Sequence, residues 1–135
     1  TTEIYTLSLH DALPIWLVRA AHDCSEGGLA VAIAEMLVGG ASPARPLGAE
    51  INLGAIPWLG KKAGDLHAAL FAETPSRYIL EIRPQDIPAA HELIKHIPHA
   101  PLGRLNSTGR LDIPLASVSA GVADLTAAWR GTLDW

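Results

Sequence analysis

The run His22-Asp23-Cys24-Ser25-Glu26-Gly27-Gly28-Leu29 lies just before a stretch rich in Ala and Leu. Read as a turn entering a helix, it offers free N–H groups at the helix start, where the backbone dipole adds partial positive charge. Gly27 and Gly28 lack a Cβ, so an anionic oxygen can reach those N–H groups. Asp23 is a hard oxygen ligand suited to Mg2+, which commonly bridges phosphates. The same residues also have a plain structural reading, in which Asp23 or Ser25 caps the helix and the glycines allow close packing. Gly-Gly at a helix start is costly for helix propensity, which keeps the anion-binding alternative open.

A second cluster is Leu70-Phe71-Ala72-Glu73-Thr74-Pro75-Ser76-Arg77. An acid, a hydroxyl and an arginine converge in a turn stiffened by proline. Glu73 suits an amine or a metal, and Arg77 suits a phosphate or a carboxylate. The structural alternative is a loop held by a Glu73–Arg77 ion pair. His91, His96 and His99 lie in or just after a helix without the i, i+4 pair of a zinc helix, and read as a solvated face. There is no Cys-x-x-Cys, which excludes structural zinc. Cys24 is a lone thiol with His22 two residues away, a poor basis for a nucleophile.

These clusters need elements to hold them. Leu17–His22 is short and apolar and predicts a strand. Leu29–Leu37 predicts a helix, with Leu29, Ile33 and Leu37 on one face, Ser25 or Asp23 as cap, and Gly39-Gly40 as its end. That helix is apolar nearly all round, so it should be covered on more than one side. Pro43 and Pro46 mark a loop over 41–48, and Ala49–Leu53 alternates as a strand. Pro57–Lys62 reads as a loop and Asp65–Phe71 as a short helix. Arg77–Arg83 is the clearest strand, with Tyr78, Leu80 and Ile82 facing one way and Glu81 and Arg83 the other. Asp86 caps a second long helix whose buried stripe is Ile87, Ala90, Ile94 and Ile97, stopped by Pro98 and Pro101. Leu102–Leu105 and Arg110–Ile113 flank Asn106-Ser107-Thr108-Gly109 as a hairpin. Ser119 caps a last helix in which Val118, Val122, Leu125 and Trp129 share a face and which Gly131 closes. Without a sustained strand–helix–parallel-strand repeat, the order predicts an α+β fold, a mixed sheet packed with helices, rather than a doubly wound sheet.

The chain has 135 residues, 49% apolar and 18% charged, with 10 Lys+Arg against 14 Asp+Glu. This excludes a disordered tail and a disulfide scaffold. The absence of a basic block argues against nucleic acid or an anionic membrane as partner. A single cysteine fits a reducing compartment, and no apolar run approaches ~18 residues. Residues 1–15 hold no lasting helix or strand period. They resemble, codon for codon, the translation of a common sequencing-library adapter, and lack the charged n-region and apolar core of a signal peptide. They are therefore left out of the fold prediction. Residues 16–135 are taken as the domain, the tail of a longer protein truncated upstream, with 10 basic against 12 acidic residues.

Ala21-His22-Asp23-Cys24-Ser25-Glu26-Gly27-Gly28-Leu29-Ala30-Val31-Ala32-Ile33-Ala34-Glu35 closely resembles the A-H-D-x-S-[DE]-G-G-L-A-x-A-[LI]-A-E signature of phosphoribosylformylglycinamidine synthase. Leu70–Tyr78 is similar to that family's L-F-x-E-[ST]-x-S-R segment, and Val122–Leu133 resembles its C-terminal helix. The resemblance implies the AIR-synthase-related C-terminal domain of the synthetase subunit, a cytoplasmic ligase of purine synthesis. It implies an ATP-dependent reaction: the formyl amide oxygen is activated by ATP, and ammonia released from glutamine displaces phosphate to give the amidine. It further implies ATP and Mg2+ as cofactors. The implied partners are an ATP-binding domain, a glutaminase subunit or domain, and a small-molecule nucleotide substrate. Asp23 would then be the Mg2+ ligand, and Ser25, Gly27, Gly28, Glu73, Ser76 and Arg77 the binding residues. The subunit holds two copies of this domain, the last belonging to the half whose nucleotide site is structural, and Pro75 replaces an amide side chain found in the other copy. The isolated chain is expected to be inactive and to expose an apolar face to its missing partner. Other readings are a different AIR-synthase superfamily member (a selenophosphate, aminoimidazole ribonucleotide or thiamine-phosphate enzyme) or a non-catalytic α+β interaction domain.

Overall fold

The structure is a computed structural model that describes residues 3–8, 16–56 and 65–131; within 3–8, Ile4 is the one side chain described. Among the described residues, seven strands form one mixed sheet: β1 Glu3–Ser8, β2 Val18–Asp23, β3 Gly48–Ile51, β4 Arg77–Ile82, β5 His99–Asn106, β6 Arg110–Ile113 and β7 Val118–Gly121. Their order is β2-β4-β1-β5-β3-β6-β7. All neighbours are antiparallel except β3 and β6. The α-helices among the described residues are α1 Gly28–Gly40, α2 Leu66–Phe71, α3 Ile87–Ile94 and α4 Val122–Gly131. This is the α+β class expected, a mixed sheet packed with helices.

The two sheet faces carry separate cores. Leu29, Ile33 and Leu37 of α1, Leu70 of α2 and Val122 of α4 pack on Ile4, Ala49, Ile51, Ile79, Leu102 and Leu111. On the opposite face, Ala90 and Ile94 of α3 cover Leu80 and Ile82. β4 is therefore buried on both sides, which explains its unbroken apolar run Tyr78-Ile79-Leu80. The α3 stripe is as expected, with Ile87 and Ile97 packed at its margin. The apolar circumference of α1 is likewise accounted for, since it meets the sheet, α2 and α4.

Several local expectations are corrected. β1 was left out of the fold prediction, yet Glu3–Ser8 pairs with β4 from Glu3↔Ile82 to Ser8↔Arg77 and with β5 from Glu3↔Arg104 to Leu7↔His99. Its Ile4, Tyr5 and Thr6 are good strand formers, and backbone pairing on two edges does not require a long period. The 106–109 turn does not close a hairpin, because β3 lies between β5 and β6. Asn106 Oδ1 accepts from the Thr108 N–H and Gly109 adopts φ 69°, so the turn is tight, but β6 pairs parallel to β3 and antiparallel to β7. α3 is only eight residues long, and Pro101 lies inside β5 rather than stopping a helix. Asp86 makes no side-chain cap, because Arg83 Nε takes its carboxylate at 2.5 Å. Ser119 belongs to β7, where its hydroxyl bonds Asp112 and accepts from Arg110. The loop predicted over Pro57–Lys62 and the final residues 132–135 lie outside the described residues.

Candidate functional site

β2 carries His22 and Asp23 to the end of the sheet, and the turn 24–27 brings the chain back as α1. β4 starts beside it, with Asp23 opposite Tyr78. The Cys24 N–H donates to the Arg77 carbonyl at 2.9 Å, which extends the ladder by one rung. The two sequence motifs, 46 residues apart, thus meet at one place in the fold.

A side-chain contact links them as well. The Gly27 N–H donates to Glu73 Oε1 at 2.8 Å. Gly27 is the N-cap residue of α1, has φ 70°, and no side chain of its own segment caps the helix. The expected cap by Ser25 or Asp23 is therefore corrected. Gly27 and Gly28 are both left-handed, and the Ser25 side chain bonds Asp23 rather than the helix start. Glu73 supplies the missing acceptor from a different loop, at the end where the dipole favours a carboxylate. Gly28 is required for a second reason. A Cβ there would lie 2.7 Å from the Leu70 carbonyl oxygen and the Phe71 backbone, so α1 begins in direct contact with the end of α2.

Arg77 points inward. Its Nη2 donates to the Ala69 carbonyl at 3.1 Å, satisfying the C-terminal end of α2. Burial pushes the Arg77 pKa down, opposed by the neighbouring Cys24. The guanidinium remains charged. The Glu73–Arg77 ion pair is not made; each group has its own backbone partner. Ser76, in the turn between Glu73 and Arg77, adopts φ 62°. Cys24 is fully buried, and burial pushes its thiol pKa up, consistent with a packed, unreactive side chain.

Asp23 is exposed, and the hydrogen bond from Ser25 holds its carboxyl below the ordinary range, helped by nearby backbone N–H groups. His22, considered only as a base for Cys24, has other partners. Its Nε2 lies 3.2 Å from Glu35 Oε2, and its Nδ1 lies 2.6 Å from the Asp23 carbonyl oxygen. The strand–turn–helix doubling brings Glu35 back over His22, a pairing that a 13-residue separation hides in the sequence. Among the described residues no three His, Cys, Asp or Glu side chains converge on a metal position. An exposed, ionised Asp23 nevertheless fits the way Mg2+ is held by one or two carboxylates and completed by phosphates. At Gly27 the fit is different, because Glu73 already fills the place an anionic oxygen would take. His91 and His99 meet edge to face at 5.0 Å on the α3 side, away from these motifs.

A groove of about 330 Å³ lies between α1, α4 and the sheet, lined by Val31, Val38, Phe71, Ile113, Leu125 and Trp129 among others. Phe71 and Trp129 are more than half exposed on its rim. No helix among the described residues is long and apolar enough to cross a membrane.

The family described as AIR synthase related protein, C-terminal domain, matches residues 2–115. Among solved structures, phosphoribosylformylglycinamidine synthase II from Thermotoga maritima superposes with a TM-score of 0.71 at 16% identity, covering 93% of this chain and 26% of that one. T. maritima PurL complexed with ATP gives 0.72 at 17% identity, covering 93% and 25%. Thiamine-monophosphate kinase from Stenotrophomonas maltophilia K279a gives 0.60 at 14% identity, covering 76% and 33%. This chain spans about a quarter of the length of the two T. maritima chains.

Proposed function

The chain belongs to the family of AIR synthase related C-terminal domains, and from that premise we propose that it is the C-terminal domain of a phosphoribosylformylglycinamidine synthase. The reaction of the whole ligase converts formylglycinamide ribonucleotide, glutamine, ATP and water to formylglycinamidine ribonucleotide, glutamate, ADP and phosphate. One observation carries the reading: the H-D-x-S-E-G-G turn and the F-x-E-x-x-S-R loop, which both resemble that ligase, are clasped by the Gly27–Glu73 hydrogen bond. The superposition on T. maritima chains of that name supports the same choice over other members of the superfamily.

In this domain Asp23 is the group offered to Mg2+, kept ionised by Ser25. ATP bound by the ligase supplies the phosphoryl group that activates the amide oxygen. Glu73 and Gly27 satisfy each other, so this turn orders α1 rather than cradling a phosphate. That matches a copy whose role is structural, as does Pro75 in place of an amide side chain. Ser76, Gly28 and Arg77 hold the two loops in register. The apolar groove with Phe71 and Trp129 on its rim is the surface that packs against the ATP-binding domain of the longer chain. The glutaminase that provides ammonia is a separate subunit or domain, and the ligase works in the cytoplasm.

The test is made in the full-length ligase that carries this domain. Phosphate release there should depend on formylglycinamide ribonucleotide and on glutamine or ammonia, and the 135-residue chain alone should release none above background. Release by the isolated chain, or a full-length protein that turns over thiamine monophosphate instead, would overturn the assignment.

A further inference from the structure

We propose that His91 and His99 form a two-imidazole binding site for a divalent transition ion, Cu2+ or Zn2+, on the sheet face covered by α3. Water completes the coordination.

The two residues stand eight positions apart, a spacing that carries no metal signal in the sequence. The fold closes the distance. α3 is anchored on the sheet by Ala90 and Ile94, which pack on Leu80 and Ile82. The chain then turns, with the Ile97 N–H donating to the Ile94 carbonyl at 2.8 Å, and returns as β5 from His99. Pro98 fixes a backbone angle of this short connection. His91 on the helix and His99 at the start of the strand are therefore held side by side by regular elements, the kind of support a binding site needs.

Their ring centroids lie 5.0 Å apart with the planes at 66°. Metal–nitrogen bonds of about 2.0–2.1 Å put the centroids of two imidazoles on one ion about 4.5 Å apart at a right angle and about 5.2 Å apart at the tetrahedral angle. The observed spacing falls between the two. A second feature points the same way. His99 Nδ1 lies 2.8 Å from the Ile97 carbonyl oxygen. That oxygen only accepts, so in the neutral ring Nδ1 carries the hydrogen and Nε2 keeps its lone pair. Metal-binding histidines are held in this way, one nitrogen donating to a carbonyl and the other left for the ion. His91 is exposed, and its soft terminal torsion lets a ring nitrogen turn toward the same ion. Imidazole suits Cu2+ and Zn2+, whereas Mg2+ takes oxygen ligands, so this site is chemically separate from Asp23. Among the described residues no third ligating side chain joins the pair, which leaves positions for water.

The experiment uses the full 135-residue chain without an affinity tag. Cu2+ and Zn2+ are titrated in calorimetry, and the Cu2+ form is read by electron paramagnetic resonance. The expected result is one saturable site whose Cu2+ spectrum shows coupling to two nitrogens. His91→Ala and His99→Ala should each weaken binding by about tenfold or more, at least what the loss of an outer partner costs. His96→Ala, in the turn between them, should leave it unchanged, and excess Mg2+ should displace nothing. Substoichiometric Cu2+ should broaden the NMR signals of His91 and His99 first in the unaltered chain, a readout that stands if His99→Ala fails to fold. A spectrum with one nitrogen, a His91→Ala chain that binds Cu2+ as tightly as the unaltered one, or broadening centred on His22 or His67 would overturn the proposal.

Discussion

The contact that joins the two motifs can be removed with one substitution. Glu73 accepts from the N-cap amide of α1 at 2.8 Å, and α1 has no other side-chain cap. A capping hydrogen bond contributes about 0.5–2 kcal/mol, and a carboxylate at an exposed helix N-terminus about 0.3–1 kcal/mol. Glu73 is exposed, so solvent screening places the sum near the lower end. We predict that Glu73→Ala lowers the unfolding free energy by about 1 kcal/mol. Glu73→Gln, which keeps the acceptor and loses the charge, should lower it by about half as much. With a urea m-value of about 2 kcal/mol/M, the Ala variant should move the midpoint by about 0.5 M. Equilibrium urea denaturation followed by far-UV circular dichroism measures both. Repeating it in 1 M salt should bring wild type and Gln together while leaving Ala below them. An Ala variant indistinguishable from wild type, or a Gln variant no better than Ala, would refute the account of Glu73 as the cap of α1.

Two glycines of α1 should respond oppositely to alanine. Gly28→Ala forces a Cβ against the Leu70 and Phe71 backbone at positive φ and should cost at least about 2 kcal/mol, whereas Gly39→Ala meets open space in a helix and should gain about 0.5–1 kcal/mol; thermal melts of the two variants decide this. Ile79→Ala, deep in the larger core, should cost about 2–5 kcal/mol in the same urea assay, and a loss under 1 kcal/mol would contradict its packing. Asp23 has a depressed folded pKa, so its contribution to stability is present above the ordinary carboxylate range and is lost as pH falls through the folded value. Wild type should therefore lose its advantage over Asp23→Asn on acidification, and Ser25→Ala should raise the Asp23 pKa followed by NMR. Cys24, buried with a raised pKa, should resist a thiol reagent at pH 8 until the chain unfolds.

The elements that define the site were legible because their signals are local. β2, α1 and β4 follow from apolar runs and from glycine placement, and the motifs at 22–29 and 70–77 lie at their ends. What escaped was set by distant partners. Nothing in the order of residues 102–113 reveals that β3 enters between two strands that look like a hairpin. The cap of α1 comes from Glu73, which no reading of residues 23–27 could find. Asp86 and Ser119 have the composition of caps, but Arg83 and Arg110 compete for their oxygens, and a charged donor outbids a backbone amide. β1 was missed for a different reason: a strand stitched by its neighbours' backbones needs little pattern of its own.

β4 sends Ile79 into one layer of packing and Leu80 and Ile82 into the other. It acts as a shared seam, so loosening either side strips one face of the same strand. The small α3 layer cannot melt quietly while the larger one persists, because the loss is felt across the sheet. Amide protons of β4, and those of α3 that cover it, should accordingly exchange together, when the whole domain opens.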